Sequence, residues 1–143
     1  KFAFCESCLL WQAQGGSAEQ LAAINRFALA EQQQLKANSI GYIHYLLSEY
    51  KCDRWLRRDA YPQLHENLST SVREAIKCLY YGNGKYAPAE DRRLYYSYDL
   101  ALLPQNYDTL VAGLLKADID SAADYRRRST LFNDELLSFV ERS

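Results

Sequence analysis

The sequence predicts an all-α fold: one domain over residues 1–143, built as a disulfide-stapled bundle of five or six helices. Helix breakers are few, since the 143 residues include only 6 Gly and 3 Pro. Apolar residues recur at steps of three and four along most of the chain, which is the period of an amphipathic helix. Hydrophobic residues make up 48% and charged residues 24%, an ordinary composition for a single globular domain.

The amino-terminal third predicts a short helix and then a long one. The short helix covers residues 3–13 and ends before Gly15-Gly16. Ser17 begins a Ser-x-x-Gln capping box, which predicts the start of the long helix, about residues 18–51, with Tyr50 on its apolar face. Small residues near Asn38–Gly41 predict a kink or break in this helix.

The middle of the chain predicts a second long helix. Residues 53–61 are interpreted as a connector or helical turn, and Pro62 fits the first turn of the helix that follows. The apolar stripe of this helix consists of Leu64, Leu68, Val72, Ala75, Ile76 and Leu79. Gly82-Asn83-Gly84 is the strongest turn in the chain, and its flanks do not alternate as a β-hairpin requires. We therefore expect a helix–loop–helix connection.

Three further helices complete the predicted bundle. The first runs from Pro88 to about Leu103, where Pro104 ends it, and the second covers residues 106–117. The last runs to about Glu141, with Asp118 or Asp120 as its predicted cap.

Four cysteines, Cys5, Cys8, Cys52 and Cys78, indicate the compartment. An even number of cysteines, on a chain that begins with Lys1 and contains no Met, is typical of a processed periplasmic or extracellular protein. We expect Cys5 and Cys8 each to pair with one of Cys52 and Cys78. The alternatives are Cys5–Cys8 with Cys52–Cys78, a zinc site of four thiolates, or a redox-active Cys5/Cys8 pair.

No catalytic signature accompanies the two histidines, His44 and His65. The chain has no nucleophile elbow, no His-Glu-x-x-His and no phosphate-binding loop. We therefore expect neither a catalytic site nor a cofactor. The alternative is a small enzyme: a hydrolase using one histidine with a carboxylate, or a thiol oxidoreductase using Cys5 and Cys8.

Tyrosine supplies the candidate binding surface, because six of the 12 tyrosines fall in one window: Tyr80, Tyr81, Tyr86, Tyr95, Tyr96 and Tyr98. Adjacent residues on a helix diverge, so we expect part of each pair, Tyr80/Tyr81 and Tyr95/Tyr96, to be exposed. Tyrosine is enriched in protein interfaces because it combines a large apolar body with a polar tip. The window therefore predicts a surface that contacts another protein.

The charge pattern narrows the classes of partner. A net charge of −1 disfavours nucleic acid, and no apolar run approaches the ~18 residues of a membrane span. The clusters Arg57-Arg58, Arg92-Arg93 and Arg126-Arg127-Arg128 lie among acidic residues and predict salt-bridged exposed faces, with contact to a membrane surface as the alternative.

Two stretches resemble the helical pilotins of type II secretion systems. Ile43-His-Tyr-Leu-Leu-Ser-Glu-Tyr-Lys-Cys52 resembles the long helix of that family, and Leu110–Leu115 followed by Phe132–Leu137 resembles its final helices. The resemblance implies a periplasmic protein that clamps a short segment of its partner in a helical groove. The function expected from the sequence is thus an exported, non-enzymatic binding protein, such as an envelope adaptor, a pilotin or an immunity protein.

Overall fold

The computed structural model describes residues 16–25 and 29–143, and within these ranges the regular structure is entirely helical. The predicted all-α bundle is therefore confirmed for the described residues. The predicted helix over residues 3–13, with Cys5 and Cys8, lies outside them. The helices are α1 (Ser17–Asn25), α2 (Leu29–Leu46), α3 (Glu49–Leu56), α4 (Tyr61–Gly82), α5 (Glu90–Ser97), α6 (Tyr107–Leu115), α7 (Ala122–Leu131) and, after a π-helical segment (Phe132–Leu137), α8 (Ser138–Arg142).

Helix α4 is the centre of the bundle. It packs most extensively against α2, and it also contacts α3, α5, α6, α7, the π-helical segment and α8. Because it is covered from several directions, it buries residues well beyond the predicted apolar stripe. The core around it is completed chiefly by Ile43, Leu110, Val111, Leu114, Phe132, Leu136 and Val140.

The long helix predicted over residues 18–51 is wrong in its boundaries. Helix α2 continues without a break through Asn38–Gly41 and ends at Leu46. Ser48 leaves the helical conformation, with φ −58° and ψ 141°, and α3 begins at the next residue. Of the predicted connector or helical turn over residues 53–61, residues 53–56 complete α3, and residues 57–60 connect it to α4, which begins at Tyr61.

Two features predicted around α4 are confirmed. Pro62 lies in its first turn, and the Gly82–Gly84 turn connects two helices. Gly84 adopts a φ of +67°, a conformation that favours glycine. The N–H of Lys85 then donates to the Tyr80 carbonyl oxygen at 2.9 Å, closing the end of α4.

The cap predicted for the last helix is wrong. Ser121, not Asp118 or Asp120, caps α7, and its Oγ accepts a hydrogen bond from the Asp124 N–H at 3.1 Å. Asp118 takes part from the other side, because its N–H donates to Asp124 Oδ2 at 3.0 Å. This backbone donor, followed by Arg127, holds the pKa of Asp124 below its usual value.

The expected exposed face at Arg126–Arg128 is wrong for Arg128, which is 1% exposed. Its Nε donates to the Leu114 carbonyl oxygen at 2.8 Å, and its Nη1 lies 2.6 Å from His65 Nδ1. Leu114 is in the last turn of α6, where carbonyls have no helical donor, so Arg128 caps that helix from α7. Arg127 does form the predicted kind of salt bridge, at 2.7 Å to Asp124.

None of the described helices combines the length and the apolar character that crossing a membrane requires.

Candidate interaction surface

The tyrosine window predicted as a contact surface is divided between the core and the surface. Tyr80 and Tyr81 are only 2% and 6% exposed, so the expectation that one of them is exposed is wrong. Tyr80 donates its hydroxyl to the Arg93 carbonyl oxygen at 2.7 Å, and Tyr86 donates to Glu31 at 2.9 Å. Burial raises the pKa of both Tyr80 and Tyr81. These three tyrosines support the fold.

The other half of the window lies at the carboxyl end of α5. Tyr95 is 74% exposed, and Tyr96 and Tyr98 are also exposed. The rings of Tyr95 and Tyr96 pack edge to face at 5.2 Å between centroids. Tyr98 leans on Tyr107, whose hydroxyl is hydrogen bonded within the bundle. We call Tyr95, Tyr96 and Tyr98 the α5 tyrosines.

The two described cysteines are both free thiols. Cys78 is buried, with its Sγ 3.9 Å from the Lys36 carbonyl oxygen, and burial raises its pKa to about 12. Cys52 is half-buried on another side of the bundle, with its Sγ 3.3 Å from the Tyr125 hydroxyl. The described residues thus contain no Cys52–Cys78 bond. They also contain no cluster of three or more metal-ligating side chains.

His65 belongs to the buried network around Arg128. A guanidinium only donates hydrogen bonds, so His65 Nδ1 must accept from Arg128. The proton is then on Nε2, which donates to the Ser121 carbonyl oxygen at 3.1 Å. Because both ring nitrogens are hydrogen bonded and the ring is buried, His65 stabilises the fold.

His44 lies at the surface, in a cleft of about 420 Å³ between α2 and the carboxyl-terminal helices. Its Nε2 is 3.0 Å from Glu141 Oε1, which links α2 to α8. The hydroxyl one turn further along, Ser48 Oγ, donates to the Tyr45 carbonyl oxygen and not to His44. His44 and Glu141 therefore resemble the base and the carboxylate of a hydrolytic site, but Ser48 is not the serine that such a base would activate.

A second set of exposed aromatic residues, which the sequence analysis did not predict, lies on α3 and at the end of α2. Lys51 Nζ lies 3.8 Å from the centroid of the Tyr45 ring. The Arg54 guanidinium lies 5.9 Å from the centroid of the exposed Tyr50 ring. Tyr45 in turn stacks on Tyr42, with centroids 6.3 Å apart.

Trp55 holds two arginines on its ring. The Arg54 guanidinium carbon is 4.6 Å from the ring centroid, and that of Arg58 is 5.6 Å away. At these distances a cation is attracted to an aromatic face by about 0.5–1 kcal/mol at an exposed site. We call Tyr45, Tyr50, Lys51, Arg54, Trp55 and Arg58 the α3 surface.

A cleft of about 400 Å³ opens on this surface. It is lined by Tyr50, Asp53, Arg54, Arg57 and Arg58. The expectation that Tyr50 lies on an apolar helix face is wrong, since its side chain is 78% exposed. The available signal in the sequence was that four aromatic and four basic residues (Lys and Arg) fall between Tyr42 and Arg58.

Comparison with family models, curated proteins and solved structures found no match to this chain.

Proposed function

We propose that this protein is a non-enzymatic binding protein that contacts another protein through the α3 surface. The observation that carries the proposal is the exposure of α3, because none of its residues is fully buried. Its exposed and half-exposed aromatic rings are interleaved with cations. Core formation alone does not account for such a helix, since only Cys52, Trp55 and Leu56 pack partly against the core.

The chemistry of the α3 surface suits an interface. Tyr, Trp and Arg are the residues that most often dominate binding energy at protein interfaces. The contacts of Arg54 and Arg58 with Trp55 restrict long side chains before any partner arrives. Less conformational entropy is then lost on binding, which favours affinity.

The experiment compares two tyrosines of nearly equal exposure, Tyr50 at 78% and Tyr95 at 74%. Wild type, Tyr50→Ala and Tyr95→Ala are immobilised at equal density and exposed to an extract of the native cells, and bound proteins are identified by mass spectrometry. We expect a partner whose recovery falls about tenfold with Tyr50→Ala and is unchanged with Tyr95→Ala. Circular dichroism verifies that both variants are folded.

Two results would contradict the proposal in different ways. A partner lost only with Tyr95→Ala would assign binding to the α5 tyrosines, as the sequence window predicts. A partner recovered equally by all three proteins, or by none, would refute binding through either aromatic surface.

We also propose that the protein works outside the reducing cytosol, as an envelope adaptor, pilotin or immunity protein would. The support is the even number of cysteines. Cys52, being half-buried, is the more accessible of the two described thiols for a crosslink from Cys5 or Cys8. To test this proposal, the purified protein is unfolded without any reductant and alkylated, and its intact mass gives the number of free thiols. Four alkylated thiols without prior reductant would refute disulfide stapling.

A further inference from the structure

The cleft on the α3 surface has a marked charge imbalance. The described residues that line it include Arg54, Arg57 and Arg58 and one carboxylate, Asp53. Asp53 pairs only loosely, with 3.9 Å between its Oδ2 and Arg57 Nη2. The cleft is therefore positive, although the whole chain carries a net charge of −1.

The arginines are held in positions that leave hydrogen-bond donors available. Arg54 and Arg58 lie against the Trp55 ring, a contact that engages a guanidinium without using its N–H groups. Neither arginine has an ion-pair partner within residues 16–25 and 29–143. A guanidinium presents its donors as a planar fork that matches the two oxygens of a carboxylate.

Arg54 has a buried hydrogen-bond donor without a partner among the described residues. This donor is its Nε. The Tyr50 and Trp55 rings attract this guanidinium but give its Nε–H no acceptor. An anion in the cleft would add hydrogen bonds to the remaining N–H groups of the same guanidinium.

We propose that the α3 cleft binds an acidic segment of the partner protein, whose carboxylates pair with Arg54, Arg57 and Arg58 while its apolar side chains contact Tyr50. This inference rests on the proposed function and names the chemistry of the partner. A peptide is favoured over a membrane because Asp53 shares the cleft with the arginines. A sheet of anionic headgroups would repel this carboxylate, whereas a polypeptide can place a neutral or basic residue opposite it.

The test is direct binding of a fluorescein-labelled peptide of alternating Glu and Leu, measured by anisotropy. The matched control peptide has Gln in place of Glu. We expect the Glu peptide to bind wild type, and its affinity to fall about tenfold in Arg54→Gln and in Arg57→Gln/Arg58→Gln. The Gln peptide should bind at the level of those variants.

Two protein variants control for charge and for sign. Arg92→Gln/Arg142→Gln removes two exposed cations elsewhere and should leave the affinity unchanged. Asp53→Asn removes the one carboxylate among the described residues that line the cleft, and should strengthen binding about two- to fivefold. A structural role for the arginines would not produce this gain.

The outcomes that overturn the inference differ from those that overturn the proposed function. Equal affinity for the Glu and Gln peptides, or equal losses in the α3 and the control variants, would refute an acidic ligand while leaving the Tyr50 result intact. Binding to phosphatidylserine vesicles with no binding of the Glu peptide would assign the cleft to membranes.

Discussion

Replacing Arg128 by Met removes a buried cation while keeping most of its volume. The change deletes three hydrogen bonds, to the Leu114 carbonyl oxygen at 2.8 Å, to His65 Nδ1 at 2.6 Å and to Ser69 Oγ at 3.1 Å. The first two acceptors are buried with the guanidinium, and a buried acceptor left unpaired costs about 1–3 kcal/mol. The Ser69 hydroxyl is only partly buried and can turn toward water.

A term of opposite sign reduces this cost. Burial lowers the pKa of Arg128, which shows that desolvation disfavours its charge, and Met has no charge to desolvate. The two unpaired acceptors cost more than the loss of the buried charge regains. We therefore expect Arg128→Met to lower the free energy of unfolding by about 2–4 kcal/mol. Urea unfolding followed by circular dichroism at 222 nm measures the difference.

The chain provides a matched control and a coupling test. Arg126→Met changes an exposed arginine two residues away, and should cost less than about 0.5 kcal/mol. His65→Leu removes the acceptor of Arg128 Nη1 instead of the donor. The double variant should lose at least about 1 kcal/mol less than the sum of the two single variants, because both partners are then apolar. Equal stability of Arg128→Met and Arg126→Met, or strict additivity with His65→Leu, would refute the proposed cap.

Three further measurements test other parts of the structure. Gly41→Ala should raise the free energy of unfolding by about 0.5–1 kcal/mol because its helical site is open, whereas Gly113→Ala should gain less because its new Cβ would lie 3.0 Å from a methyl group of α7; an equal gain at both sites would contradict this packing. Asp124 has a lowered pKa in the folded state, so its stabilising effect should be full above the ordinary carboxyl pKa of about 3.9 and be lost as the pH falls below that value. In urea titrations, the difference in unfolding free energy between wild type and Asp124→Asn should therefore shrink below about pH 4, and a difference independent of pH would contradict this. When the protein is reduced without unfolding, timed alkylation with mass mapping should modify Cys78 only on unfolding, because burial raises its pKa to about 12, and should modify half-buried Cys52 faster in the folded protein; equal rates in the folded, reduced protein would contradict the burial of Cys78.

The parts of the fold that periodicity could predict are those governed by a single buried face. Leu64, Leu68, Val72 and Leu79 repeat at helical steps, and all four are buried in α4. The period did not reveal that α4 is covered on further sides. For that reason it could not predict that Tyr80 is buried, since that outcome depends on α5 supplying the Arg93 carbonyl oxygen.

The features that the sequence did not predict depend on contacts between distant parts of the chain, or on amphipathic side chains that suit both the core and the surface. Arg128 is 63 residues from His65, and nothing local to an Arg-Arg-Arg run indicates that one of its members is buried. Tyr50 fits the apolar period of a helix equally well whether it faces the core or a partner, because tyrosine suits both. The break at Ser48 separates α3 from α2 and carries no proline or glycine signal, so the sequence pattern did not reveal that Tyr50 belongs to a different helix.

Helix α3 also links the fold to the proposed function. Helix α3 contacts α4 through a half-buried face that includes Trp55, and the same indole ring carries Arg54 and Arg58 on its surface. Trp55, one of the three α3 residues that pack against the core, therefore also positions the cations. Tyr50, Asp53, Arg54 and Arg57 are spaced at steps of three and four, so the helical conformation of this segment places them along one face, where the cleft lies. The lining of the cleft thus follows from helical spacing along α3, whereas the start of α3 follows from the break at Ser48, which the sequence pattern did not reveal.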